Sequence, residues 1–217
     1  GISTVAGILA QALDQAGVDL IAADVASTKA AEFWRKAAYY YGLSIMKQLD
    51  ETEPLSITYV SDVAQRLYVM GLHFNSVPEG KETFIAWQGK LEDSAFWEEA
   101  VRIYQRLSLL AGPSYTREIQ LARTLALLGR VKEAAANYAD LFDQESFFDP
   151  ADAAQERFNP KVAENRPALV PAYLEWAVAE HLTGISESAP DRLERATSMY
   201  ERAISPKNSN KNSAPGR

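Results

Sequence analysis

Cysteine is absent from this 217-residue chain, which excludes disulfides, thiolate nucleophiles and cysteine-based zinc or iron–sulfur sites. Histidine is scarce: the two, His73 and His181, lie far apart, and neither has a carboxylate or second histidine at metal-ligand spacing. No metal and no cofactor is therefore expected. No run approaches the roughly 20 apolar residues that a membrane-spanning helix needs, so no membrane span is expected, and no Asn-x-Ser/Thr sequon occurs. Phosphate-cradling glycine loops are missing as well. Gly80-Lys81 has the end of a P-loop, but Asn75 stands where its first glycine belongs and Glu82 where Ser or Thr would hold magnesium. Neither a Gly-x-Ser-x-Gly elbow nor a Gly-x-Gly-x-x-Gly turn is present. Positive charge is in deficit, with 22 Lys and Arg against 29 Asp and Glu and a net charge of −7, which disfavours nucleic acid and anionic lipid as partners. The adjacent acids Glu92-Asp93 and Glu98-Glu99 fall near expected helix ends, where carboxylates favour the positive helix dipole or plain solvent over acid–base work. No catalytic residue is assigned.

What the chain has is apolar content and periodicity. With 47% hydrophobic and 10% aromatic residues it is long enough to bury a substantial core. Trp97, Ala100, Tyr104 and Leu107 can be laid over Val131, Ala134, Tyr138 and Leu141, every pair 34 apart. A small residue, an aromatic four later and an aliphatic three after that form the packing face of the second helix in a helix-turn-helix repeat. The small positions exist because two helices cross closely there; a bulkier side chain would cost roughly 1–3 kcal/mol. Ahead of the second stretch stand Leu121, Ala122, Leu125, Leu128 and Gly129; ahead of the first stand Phe84, Trp87 and Leu91, with Pro113 closing the unit. Looser matches are Tyr173, Trp176, Ala177 and Glu180 with Ala196, Tyr200 and Ala203, and Trp34, Ala37, Ala38 and Tyr41 with Ala64, Tyr68 and Gly71.

On these residues the chain resembles the tetratricopeptide repeat family over roughly residues 30–205. The resemblance implies an all-α solenoid of four antiparallel helix pairs wound as a right-handed superhelix, preceded by an extra N-terminal helix at 1–29. An irregular helical bundle is the competing reading. The family's usual role is to hold a peptide or partner protein in a concave groove lined by the first helix of each pair. Carried over repeat by repeat, that groove takes Arg35 and Tyr39, Ile85 and Gly89, Gln120 and Arg123, and Glu175 and Val178. The chaperone-binding subclass clamps a carboxylate with Lys, Asn and Arg; here Arg35 and Arg123 occur without the Asn residues, so that ligand is not expected. Solvated groove-edge charge is the plainer reading of both arginines. A non-enzymatic protein-interaction module is thus the function implied, with a segment of a longer or self-associating solenoid as the alternative and a helical enzyme as the third.

Local signals place the elements. Residues 4–23 read as a helix with Val5, Ile8, Leu9 and Leu13 on one face, interrupted near Gly17. Ala10-Gln11-Ala12 has the form of a leader cleavage site, but no basic segment precedes it; the compartment is left open, cytoplasmic or exported. Helices are expected over 30–49, after Pro54, over 81–92, 94–110, 114–128, 131–145, 168–183 and 190–205, with Gly129 and Gly184 as stops. Between the last two pairs lies an expected irregular insertion at 146–167. Its neighbourhood, 140–156, holds six acids and no base, with Phe147 and Phe148 among them; these two either cap the preceding helix or dock into a partner. The tail 206–217, rich in Ser, Asn and Lys, is too polar to order itself. Leu193 and Met199, if off the packing stripe of the last helix, would drive weak self-association through residues 190–205.

Overall fold

The computed structural model describes residues 2–22, 27–50, 57–87, 89–112, 114–144 and 160–204. These contain eight α-helices and, among the described residues, no strand. The helices are α1 (Ile2–Ala22), α2 (Ser27–Asp50), α3 (Ile57–Phe74), α4 (Ala95–Ala111), α5 (Tyr115–Leu127), α6 (Val131–Gln144), α7 (Pro160–Glu187) and α8 (Pro190–Ile204). Contact between elements is heaviest within α1/α2, α3/α4, α5/α6 and α7/α8. Lighter contacts join each pair to the next, through α2 and α3, α4 and α5, and α6 and α7.

Each pair closes on the same residue types. On the first helix a fully buried alanine precedes a glycine by seven: Ala10 and Gly17, Ala64 and Gly71, Ala122 and Gly129, Ala177 and Gly184. The second helix carries a bulky residue, an alanine three later and a tyrosine four after that, in Trp34-Ala37-Tyr41, Trp97-Ala100-Tyr104, Val131-Ala134-Tyr138 and Leu193-Ala196-Tyr200. The physical link is direct. A methyl on Gly17 would run into the Trp34 indole, one on Gly71 into Trp97, and one on Gly184 would lie 2.8 Å from the Leu193 side chain. The two indoles donate to the carbonyl three residues before their glycine, Trp34 Nε1 to Asp14 and Trp97 Nε1 to Tyr68, each at 3.1 Å. Gly129 works differently. At φ 78° it ends α5, with its N–H donating to the Ala126 carbonyl and that of Arg130 to Leu125, a Schellman closure that sends the chain straight back into α6.

Several expectations change. The helix expected to stand apart at 1–29 does not: α1 packs on α2 more heavily than any other two helices pack together, and it runs unbroken through Gly17. Its buried face is Ala6, Ala10, Asp14 and Gly17, while Ile8 is 63% exposed, because only small residues let α2 approach. The described residues of 81–92, which leave out Gln88, form turns and irregular chain, with no helix. Asn75 organises this segment: its amide donates to the Gly71 and Asp93 carbonyls and its Oδ1 accepts from the Glu92 and Asp93 N–H groups. The insertion expected at 146–167 ends early, since α7 begins at Pro160, a proline where a first-turn N–H would be unpaired anyway, and runs past Gly184. Its stop is Ser188, at φ 53°, where the Ala189 N–H reaches back to the Gly184 carbonyl. Phe147, Phe148 and the tail from 205 lie outside the described residues. Met199 is buried with Tyr138, Phe142, Tyr173 and Trp176 in the second of two apolar clusters, and Leu193 is half-buried against Gly184, so both lie on the packing stripe of α8 and the condition set for self-association through 190–205 is not met.

Candidate functional site

A polar joint connects each pair to the next, and all three joints have one plan. The repeated tyrosine of a second helix bonds a polar side chain, which in turn bridges two successive first helices. In joint 1, Arg66 on α3 grips Asp14 on α1 through Nε (2.6 Å) and NH2 (2.5 Å), and Tyr41 on α2 donates to the same carboxylate at 3.2 Å. In joint 2, Tyr104 on α4 donates to Gln65 Oε1 on α3 at 3.2 Å, and Gln120 Nε2 on α5 donates to the same oxygen at 3.1 Å. In joint 3, Arg123 on α5 holds Glu175 on α7 with contacts of 2.7–3.0 Å, and Tyr138 on α6 donates to Glu175 Oε2 at 2.6 Å.

Electrostatics follow from this packing. Burial, the Glu175 charge and the hydrogen bond to it push the Tyr138 phenol well above its ordinary pKa. Burial works against the Arg123 cation, but Glu175 outweighs it and holds the guanidinium pKa above the usual value. At joint 1 the bond to Asp14 raises Arg66 against the same burial cost, and the Arg66 guanidinium lies 5.4 Å from the Trp34 ring centre.

The residues expected to share one groove fall in two places. Gln120, Arg123 and Glu175 belong to the joints; Arg123 is therefore a half-buried cation held by Glu175, not a solvated groove-edge charge. Val178 is half-buried on α7, and Ile85 and Gly89 sit in the irregular segment before α4. Arg35 and Tyr39 lie on a second helix, α2, where they line an open groove of about 440 Å³ against α4. Its floor is Ala38, Gly42, Ala95 and Phe96, and Glu99 and Arg102 complete the rim. Arg35 bonds Asp93 at 3.0 Å and Arg102 bonds Glu99 at 2.9 Å. In both pairs the arginine is the outward member, 63% and 70% exposed against 18% and 21% for the acids. Tyr39 stands 66% exposed beside them.

The sequence pattern had not singled out Asp14, Gln65 or Arg66 as site residues, nor Phe96 and Arg102 in the groove, and it read Glu99 only as one of two adjacent acids near a helix end. A signal existed for one: Asp14 lies between Ala10 and Gly17 on the small-residue face of α1, where an aspartate must find a partner. Among the described residues no cluster of three or more His, Asp or Glu side chains could hold a metal ion, and no helix is long and apolar enough to cross a membrane. No protein-family model matches the chain, and neither a curated protein nor a solved structure is significantly similar to it.

Proposed function

We propose that the chain is a tetratricopeptide-like, right-handed array of four helix pairs that acts without catalysis as a protein-interaction module, receiving a partner segment in the α2–α4 groove. Supporting the array is the fourfold recurrence of Ala and Gly on the first helices and of the bulky residue, Ala and Tyr on the second. The observation that carries the binding role is the lining of the groove. Tyr39, Arg35 and Arg102 are of the residue types that dominate binding energy at protein interfaces, and they stand over Ala38, Gly42, Ala95 and Phe96, three of them small enough to leave room for an inserted side chain. Its charged groups are guanidinium–carboxylate pairs that satisfy each other, an arrangement suited to recognition.

Capture from a cell extract with wild-type bait and with two groove variants tests this reading. Tyr39→Ala removes an exposed ring, and Ala95→Trp fills the floor from an exposed first-turn position, so neither should lower the melting temperature. The expected result is a partner, identified by mass spectrometry, that wild type retains and both variants lose. An unchanged set of partners would remove the groove from the proposal.

A further inference from the structure

The second helices are tied to one another by a repeated bridge. The residue after each bulky one pairs with a residue just ahead of the next second helix: Arg35 with Asp93 at 3.0 Å, Glu98 with Arg130 at 3.1 Å and Lys132 with Glu187 at 2.6 Å. Next to two of these bridges the seam is shut, since the residue four after the bulky one is buried, Val101 and Ala135. Next to the first it is open: the equivalent residue, Ala38, is half-buried in the floor of the α2–α4 groove. Charge is sorted around this opening. Of the charged side chains lining it, the exposed ones are Arg35 and Arg102, and each engages its inward-facing acid through one nitrogen. A guanidinium has five N–H donors in a planar fork, so the other nitrogens of each fork remain available. Arg106 extends the stripe one turn along α4, exposed and without an ion pair among the described residues. The exposed acids nearby are held elsewhere, Glu32 by Lys36 on its own helix and Glu98 by Arg130, and Glu92 lies ahead of α4 outside the lining.

We infer that the segment received by the α2–α4 groove is acidic, a peptide with Asp or Glu on either side of an apolar side chain. This rests on the groove being a binding site and adds the chemistry of its occupant. In a chain of net charge −7, Arg35, Arg102 and Arg106 make a local basic stripe, and a cleft rimmed by one sign of charge draws the opposite sign. Carboxylates of the peptide meet the free nitrogens of Arg35 and Arg102, adding charge-assisted hydrogen bonds to the existing pairs without breaking them. Between those contacts the apolar side chain enters over Ala38, Gly42 and Ala95. A basic segment would instead meet three arginines. The site lies on two second helices, away from the first-helix face on which the resemblance would place a carboxylate clamp, so its acid preference does not depend on the asparagines that such a clamp needs.

Panning a phage-displayed library of random short peptides against the full chain, and in parallel against Ala95→Trp, provides the test. Wild type should enrich sequences in which acids flank an apolar residue, and the filled groove of Ala95→Trp should not. A synthetic peptide of that enriched type should bind wild type in fluorescence anisotropy, more weakly as salt rises. Its affinity should fall about tenfold or more in Arg102→Glu and in Arg106→Glu. Arg106→Glu breaks no ion pair and should keep the wild-type melting temperature, so its loss reads charge alone. Enrichment of neutral or basic sequences that Ala95→Trp abolishes would overturn the inference and keep the groove as a binding site. Enrichment that Ala95→Trp leaves unchanged, or none at all, would remove both. Acidic peptides that bind both charge-reversal variants as tightly as wild type would overturn the inference as well.

Discussion

Joints 2 and 3 occupy equivalent places, each set around the repeated tyrosine between one pair and the next, yet they are made of different material. Joint 3 is charged and dry: the Glu175 side chain is 3% exposed, Arg123 wraps it with two nitrogens, and Tyr138 is fully buried. Joint 2 is neutral and wet. Gln65 is exposed, its bond to Gln120 lies at the surface, and Gln120 Oε1 is buried without a partner. The same backbone plan therefore carries a stiff coupling in one place and a loose one next to it. A buried ion pair adds little over an apolar replacement, but removing one partner leaves an uncompensated charge; an exposed amide pair has no such penalty. Joint 2 is where the helix packing should open first, between α3/α4 and α5/α6.

The largest effect should come from breaking joint 3. Arg123→Ala is expected to cost about 3–5 kcal/mol by stranding Glu175 in its buried site, whereas Gln65→Ala should cost about 1 kcal/mol or less. Denaturant titration of both variants measures the contrast. Equal losses would mean that the joints carry equal load despite their chemistry. Double replacement of Arg123 and Glu175 by Leu and Met should recover most of the loss, which separates the stranded charge from the worth of the bridge. Arg123→Glu, which a groove-edge position would tolerate, should here unfold the third joint.

How much of this was legible in the sequence depends on the linker between the two helices of a pair. Ala100, Tyr104 and Leu107, and Ala134, Tyr138 and Leu141, are all buried as the 34-residue offset implied, because both stretches lie within unbroken second helices. The 34-residue offset fails where the path from the first-helix glycine to the bulky residue of the second helix lengthens. That path is two residues from Gly129 to Val131 but 26 from Gly71 to Trp97, where Asn75 holds an irregular excursion together. Reading Trp34, Ala37 and Tyr41 as a first helix leaves α1 without the helix it packs on, α2, which also carries Arg35 and Tyr39. The bridges of joints 1 and 3 join residues 52 apart, and no local pattern announces such a pairing.

A smaller effect concerns the packing behind Tyr138. Ala134 and Ala135 are both fully buried, while Ala136 on the same turn is exposed. Sequence periodicity would leave Ala135 tolerant; the geometry does not, since α6 is covered both by α5 and by the next pair. Ala134→Leu and Ala135→Leu should each destabilise by about 1–3 kcal/mol, and Ala136→Leu should be near neutral. If Ala135→Leu melts with wild type, the third joint has slack on its α6 side, and the contrast with joint 2 weakens.

The smallest effect separates joint 1 from joints 2 and 3 by pH. Joint 1 has an imidazole at its edge: the His73 ring meets the Trp34 ring edge-on at 5.0 Å, and that indole lies beneath the Arg66 guanidinium. Burial lowers the His73 pKa below its ordinary value of 6.5. The unfolded chain therefore takes up this proton at a higher pH than the folded one, so the contribution of His73 is fully present above about pH 6.5 and declines as pH falls through the lowered value. His73 as a whole is an exposed residue, which keeps the effect small. Wild type should lose more thermal stability between pH 7 and pH 5 than His73→Gln does. Parallel curves for wild type and His73→Gln would remove the imidazole from joint 1 and leave bridge burial as the only difference between the two charged joints.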